Sequence, residues 1–244
     1  MKPTSRHVLL VTGISLLLVG SVPNAAVATT KPSAATIEKA MLKALRSSSS
    51  IQFQFISKQA GQTMSGIQWS SPTQALQSTN YLGQTNHIMM IGNKLWVNDN
   101  ATGLQAMFNA SSAQANRWQN VWISVPRTNS NFKYIINGLK GSSLFSSFLP
   151  QGKVRVVGPT HSKNGNVFTL FGETVKSGGT GGFPIGVVVS ATAPYLPIGT
   201  YISATLNGKK FTSTLKVAGF NTKAPVAISA PSSAVAYALT GMPK

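Results

Sequence analysis

The sequence predicts an α+β fold, a single domain with a curved antiparallel sheet whose concave face is covered by helices. Three observations lead there. Helical spacing over residues 36–46 gives way at Ile51 to strict alternation of apolar and polar residues. The alternation is interrupted once, over residues 103–149, where helical spacing returns. Two Asn-Gly pairs, Asn164-Gly165 and Asn207-Gly208, then punctuate a strand-rich final third. No repeat of 20–50 residues is visible, and no change of composition divides residues 29–244.

The elements follow in order. Residues 1–28 have the pattern of an export leader: Lys2 and Arg6, an uncharged apolar run from Val8 to Val22, then Ala26-Val27-Ala28 as a small-x-small cleavage signal. The run is short for a membrane span, and Pro23-Asn24 breaks it. Residues 29–35 read as a linker and 36–244 as the folded domain. In the first helix Ile37, Ala40, Met41, Ala44 and Leu45 share a face, with Ser33 or Thr36 as its cap. IQFQFI, SGIQWS, TQALQSTN, HIMMIG and KLWVN are strands, HIMMI being dense enough to be covered on both sides. Leu104, Met107, Phe108 and Ala115 carry helical spacing through residues 103–116, and the chain is extended again before Pro126. Residues 131–149 hold a second apolar group. Gly138 and Gly141 divide it into two short helices or turns. KVRVVG, NVFTLFGET, IGVVVSA, TYISATL, KKFTSTLKV and residues 226–230 are the later strands, with a flexible loop at 177–186.

Composition bounds the chemistry. The 244 residues include 21 Lys and Arg, three acids and no Cys, for a formal charge of +18. Without Cys there is no disulfide framework, thiol nucleophile, Cys-ligated metal or lipid-bearing N-terminal Cys. The basic residues are scattered singly, with Lys209-Lys210 as the one adjacent pair, so a nucleic-acid partner is not expected. What is unusual is the lack of carboxylates: Glu38, Asp99 and Glu173 are the whole set. Carboxylates that depend on ionisation drive acid denaturation, so their scarcity predicts a protein adapted to acidic surroundings. Attraction to anionic wall polymers or membrane surfaces is the competing reading.

No catalytic machinery is legible. His87 and His161 have no ligand or acid at motif spacing, and a metal site would nearly exhaust the available ligands. Two acids are not expected to converge for glycoside cleavage, with Glu38 on a helix's polar face and Asp99 in a turn. Ser130-Asn131-Phe132-Lys133 and Ser213-Thr214-Leu215-Lys216 match S-x-x-K, and Lys176-Ser177-Gly178 resembles a K-T-G box. Their spacing does not fit that fold, and positions i and i+3 of a strand face opposite sides. Asn100-Ala101-Thr102 and Asn109-Ala110-Ser111 match glycosylation sequons, which recur by chance. The chain is expected to be no enzyme and to use no cofactor or metal.

The order and spacing of IGNKLWVNDNATGLQAMF, NRWQNVWISVP and APYLPIGTYISATLNGKKFTSTLKVAGFNTKAPVAISAPSSAVAYAL resemble the LolA-like carriers and the LprG/LppX lipoproteins, over most of residues 36–240. The resemblance implies an incomplete antiparallel barrel with helices in its mouth around an apolar cavity, and a role in binding or carrying a lipid or other hydrophobic ligand outside the cytoplasmic membrane. The lipid-bearing Cys of the lipoprotein members is absent. Candidate lining residues are Phe53, Phe55, Met89, Leu95, Met107, Phe108, Phe145 and Phe148, with Met as adaptable wall material. The alternatives are a basic wall- or polyanion-associated protein with a solid core, or an envelope sensor domain.

Overall fold

The computed structural model describes residues 31–108, 110–163, 165–174, 182–206 and 208–232. The leader, residues 177–181 of the expected loop, Asn109, Asn164, Asn207, the Lys176-Ser177-Gly178 match and the chain beyond 232 lie outside the described residues. Pro32 onward belongs to one unit.

Among the described residues the chain forms eleven antiparallel strands and five helices. Helix α1 (Ala34–Ser47) comes first, capped by Ser33, whose Oγ accepts from the Thr36 backbone N–H at 3.1 Å. Strands β1 (Ile51–Gln59), β2 (Gln62–Ser70), β3 (Gln74–Tyr81), β4 (Gln84–Ile91) and β5 (Lys94–Asn98) follow as successive hairpins. Helices α2 (Ala101–Phe108) and α3 (Ser112–Trp118) lead to β6 (Ile123–Val125). Helices α4 (Phe132–Leu139) and α5 (Gly141–Ser147) precede β7 (Gln151–Ser162), β8 (Gly165–Glu173), β9 (Pro184–Ser190), β10 (Pro197–Leu206) and β11 (Lys209–Phe220).

The sheet order is β6-β5-β4-β3-β2-β1-β11-β10-β9-β8-β7. Two meanders are thus joined where β1 pairs with β11, from Ile51–Phe220 to Gln59–Phe211. β6 and β7 are the two edges, so the sheet stays open as an incomplete barrel. The seam is tied at its end by side chains. Asn221 Oδ1 accepts from the Ser49 backbone N–H at 2.8 Å, and the Thr222 carbonyl accepts from Ser50 Oγ and Trp69 Nε1.

Two expectations are corrected. The helical stretch 103–116 is two helices, because Ser111 and Gln114 form a reciprocal capping box that starts α3 afresh. Residues 226–230 form no strand: Pro225 supplies no donor, and the preceding strand, β11, is already paired on both edges. Asp99 lies in the link between β5 and α2, as expected of a turn residue, and is 1% exposed.

The register fixes which residues share a face. Phe53, Gln68 and Gln77 are cross-strand partners in line, as are Ser70, Ala75 and Met90 with Leu95. These positions look toward the helices, and two apolar clusters form there. The first joins Ile88, Met90, Leu95, Val97, Ile123 and Val125 to Leu104, Phe108, Trp118, Ile135 and Leu139. The second joins Ile51, Phe53, Phe168, Leu170, Val187 and Leu215 to Ile37, Met41, Leu45 and Phe145.

Candidate functional site

A cavity of about 430 Å³ lies beside the first cluster. β3 and β4 contribute Gln77 and Ile88, α2 contributes Ala106 and Met107, α4 contributes Tyr134, Ile135, Gly138 and Leu139, and α5 contributes Leu144. Asn131 completes the lining. The volume falls within the ~300–1,000 Å³ of small-molecule pockets. The wall is mainly aliphatic, without a charged group. Tyr134, 82% exposed, stands beside it as an aromatic surface left open to solvent.

Local sequence explains why α4 leaves this space. The helix has only eight residues, so its terminal backbone groups need outside partners. Gln68, fully buried on β2, donates from Nε2 to the carbonyls of Leu139 at 2.9 Å and Gly138 at 3.2 Å. Gln77 Nε2 donates in turn to Gln68 Oε1 at 3.0 Å. At the other end Asn131 Nδ2 donates to the Met107 carbonyl at 2.5 Å, tying α4 to α2. Polar side chains therefore hold α4 at both ends, and the apolar space lies between those ties. Gly138 adds to it, since a Cβ there would meet no atom within 4 Å.

The eight residues expected to line a cavity are placed as follows. Met107 borders it. Leu95 and Phe108 are buried in the first cluster, and Phe53 and Phe145 in the second. Phe55 and Phe148 are half-buried against the second cluster, Phe55 with its ring over Gly66 on β2. Met89 faces the other side of the sheet, in line with Leu76 and Trp96. In HIMMI every residue is apolar enough for either face, so the sequence hides the parity that the register fixes: Ile88 and Met90 point to the helices. Gln68, Gln77 and Asn131 carried no signal, as amides are common throughout this chain. Ile135, Leu139 and Leu144 were visible as a helical apolar group, without a sign that they border space.

The titratable groups stand apart from the cavity. Asp99 Oδ1 accepts from the Asn100 backbone N–H at 2.8 Å, while Oδ2 is buried without a partner against Gly103. Burial pushes this carboxyl above its ordinary range, with hydrogen bonds from Asn100 and Asn86 pulling weakly the other way. Glu38, half-buried on α1, is also pushed up by burial. His87 lies within β4, its ring 6.3 Å from that of Trp122. His161, on β7, lies 3.3 Å from Asn166 Oδ1 through Nδ1. Among the described residues no group of three or more His, Asp or Glu side chains could hold a metal ion. No described helix is long and apolar enough to cross a membrane.

No protein-family model matches the chain, and no curated protein does. Several solved structures resemble its outline at low identity. The lipoprotein LppX of Mycobacterium tuberculosis is 14% identical, with 80% of this chain and 98% of that one covered and a TM-score of 0.49. An uncharacterized conserved protein from Thermus thermophilus is 14% identical over 84% of this chain and 98% of its own, with a TM-score of 0.45. The MucA/MucB complex of Pseudomonas aeruginosa gives 14% identity, 86% and 67% coverage, and a TM-score of 0.42. These are likenesses in the path of the chain, and nothing about ligand or partner follows from them.

Proposed function

We propose that the protein binds a hydrophobic ligand, a single acyl chain or a molecule of similar shape, in the cavity between α2, α4, α5 and the sheet, and that it does so outside the cytoplasmic membrane. The observation that carries this reading is the uncharged, mainly aliphatic wall beside the first cluster. Burying one methylene contributes ~0.8 kcal/mol. Ten of them would give about 8 kcal/mol before the ~4–15 kcal/mol cost of association, so useful affinity needs a chain of about that length or longer. Met107 can adjust its rotamers to the occupant. The leader pattern of residues 1–28 supports export.

Displacement of a fluorescent fatty-acid probe tests the reading. The wild-type protein is expected to bind one probe per chain. Ala106→Trp, which places a ring at an exposed lining position, should weaken binding at least about tenfold while leaving the fold intact. Equal binding by both proteins, or none by either, would overturn the assignment.

Adaptation to acid is the second part of the proposal. Both carboxyls that burial shifts are shifted upward, which favours the protonated form in the folded state.

A further inference from the structure

A second cavity, of about 190 Å³, opens where the end of α1, the start of β1, the β2–β3 turn and the α4–α5 junction meet. Unlike the first, it has cations and several serines in its lining, beside the apolar Leu45, Ile51 and Pro72. Arg46 and Lys140, both exposed, stand at its border, and Ser48, Ser70, Ser71 and Ser142 are among its lining residues. Among the described residues neither cation forms an ion pair, and no acid lines the cavity. Glu38 lies eight residues before Arg46 on α1, about 12 Å along the helix axis. Asp99 and Glu173 belong to other elements.

The hydroxyls are unequal. Ser71 Oγ is occupied, donating to the Gln74 carbonyl at 3.2 Å and accepting from its backbone N–H at 3.0 Å. Ser70 is 2% exposed, and its Oγ is buried without a hydrogen-bond partner. That hydroxyl is directed at Gly141, where an added Cβ would lie 2.6 Å from it, and both residues line the cavity. Buried hydroxyls are rarely left unpaired, so an unpaired donor buried in the wall of a cavity bordered by two cations marks a place for an acceptor with negative charge. The volume equals the share of about six waters at ~30 Å³ each, room for a tetrahedral oxyanion with the first atoms of an ester.

We propose that this cavity is a binding site for a phosphate-class oxyanion, with Arg46 and Lys140 supplying charge at the mouth and Ser70 Oγ donating a hydrogen bond from below. It rests on other residues than the acyl-chain reading and stands or falls separately. The same chemistry fits free phosphate or the headgroup of an anionic phospholipid.

The test is titration of the full chain at low ionic strength with inorganic phosphate, followed by backbone amide NMR. Saturable shifts are expected at Ser70, Ser71 and Ser142. Arg46→Gln with Lys140→Gln should weaken binding at least about tenfold, and added salt should weaken it further. Lys94→Gln with Lys209→Gln, cations of other elements, should leave it unchanged. Ser70→Ala should weaken binding several-fold without loss of thermal stability. A soluble short-chain phosphatidylglycerol separates the sources. Competition for the same amides at lower concentration than phosphate assigns a lipid headgroup, and failure to compete assigns the free ion. Shifts spread evenly over the basic surface, or an affinity unmoved by the Arg46 and Lys140 substitutions, would overturn the proposal.

Discussion

Where α1 and α5 lie over the second cluster, Phe53 and Phe145 meet Ile37, Met41, Leu170 and Val187, and all six side chains are fully buried. Where α2 and α4 lie over β3 to β6, Phe108, Met90 and Leu95 are buried as completely, yet α4 is held by Gln68 and Asn131 and leaves a 430 Å³ space beside them. The two regions share one sheet and similar residue types. What differs is how a short helix is anchored. In the second region large apolar side chains interlock. At α4 hydrogen bonds from the buried Gln68 and the half-buried Asn131 set its position, and packing does not fill the gap. The contrast shows that apolar content alone does not tell a filled core from one that leaves a cavity.

Mutations can break this contrast. The largest effect is expected for Phe53→Ala, which removes a fully buried ring and should cost about 3–5 kcal/mol. Met107→Ala, a half-buried side chain that already borders space, should cost about 1 kcal/mol or less. Chemical denaturation measures both, and equal losses would mean that the regions are packed alike. Gln68→Ala leaves two α4 carbonyls without their donor and should cost about 1–3 kcal/mol. It should also loosen α4, seen as faster amide exchange over Phe132–Leu139 and not over α1.

The pH dependence comes next in size. Asp99 and Glu38 are raised by burial. A carboxyl raised in the folded state favours folding when protonated. That contribution is complete below the ordinary carboxylate range and fades as pH rises through the raised values. Melting temperature is therefore expected to hold or rise from pH 7 to pH 4. With three acids in the chain, protonation adds little to the charge of +18. A steep fall toward pH 4 would contradict the acid-adaptation reading, and Asp99→Asn should flatten any rise. The smallest effect is Gly138→Ala. It relieves the entropic cost of a helical glycine where a Cβ meets nothing, a gain of about 0.5–1 kcal/mol.

Much of the fold was legible because its signals are local. Alternation from Ile51, the Ser33 cap, the split at Gly138–Gly141 and the pairing of β7 with β8 and of β10 with β11 each depend on neighbours in sequence. The Ser111 capping box was local too, but the unbroken spacing of Leu104, Met107, Phe108 and Ala115 masked it. The site was less legible because it depends on distant partners. Gln68 meets Leu139 across 71 positions, and no property of either residue alone announces the pairing. Met89 and Met90 differ only in parity, which the ladder with β3 and β5 decides. The exposed Arg46 and Lys140 read as ordinary scattered cations until the chain brings them to one cavity.

The proposed function has one region of the sheet built around a ligand. Organic extraction and mass spectrometry of the protein purified from its native host test it most directly. The account predicts one acyl-bearing molecule per chain, lost when Ala106→Trp is purified in the same way. A protein that comes out folded and free of lipid, and that takes up no acyl chain when loaded, would contradict it.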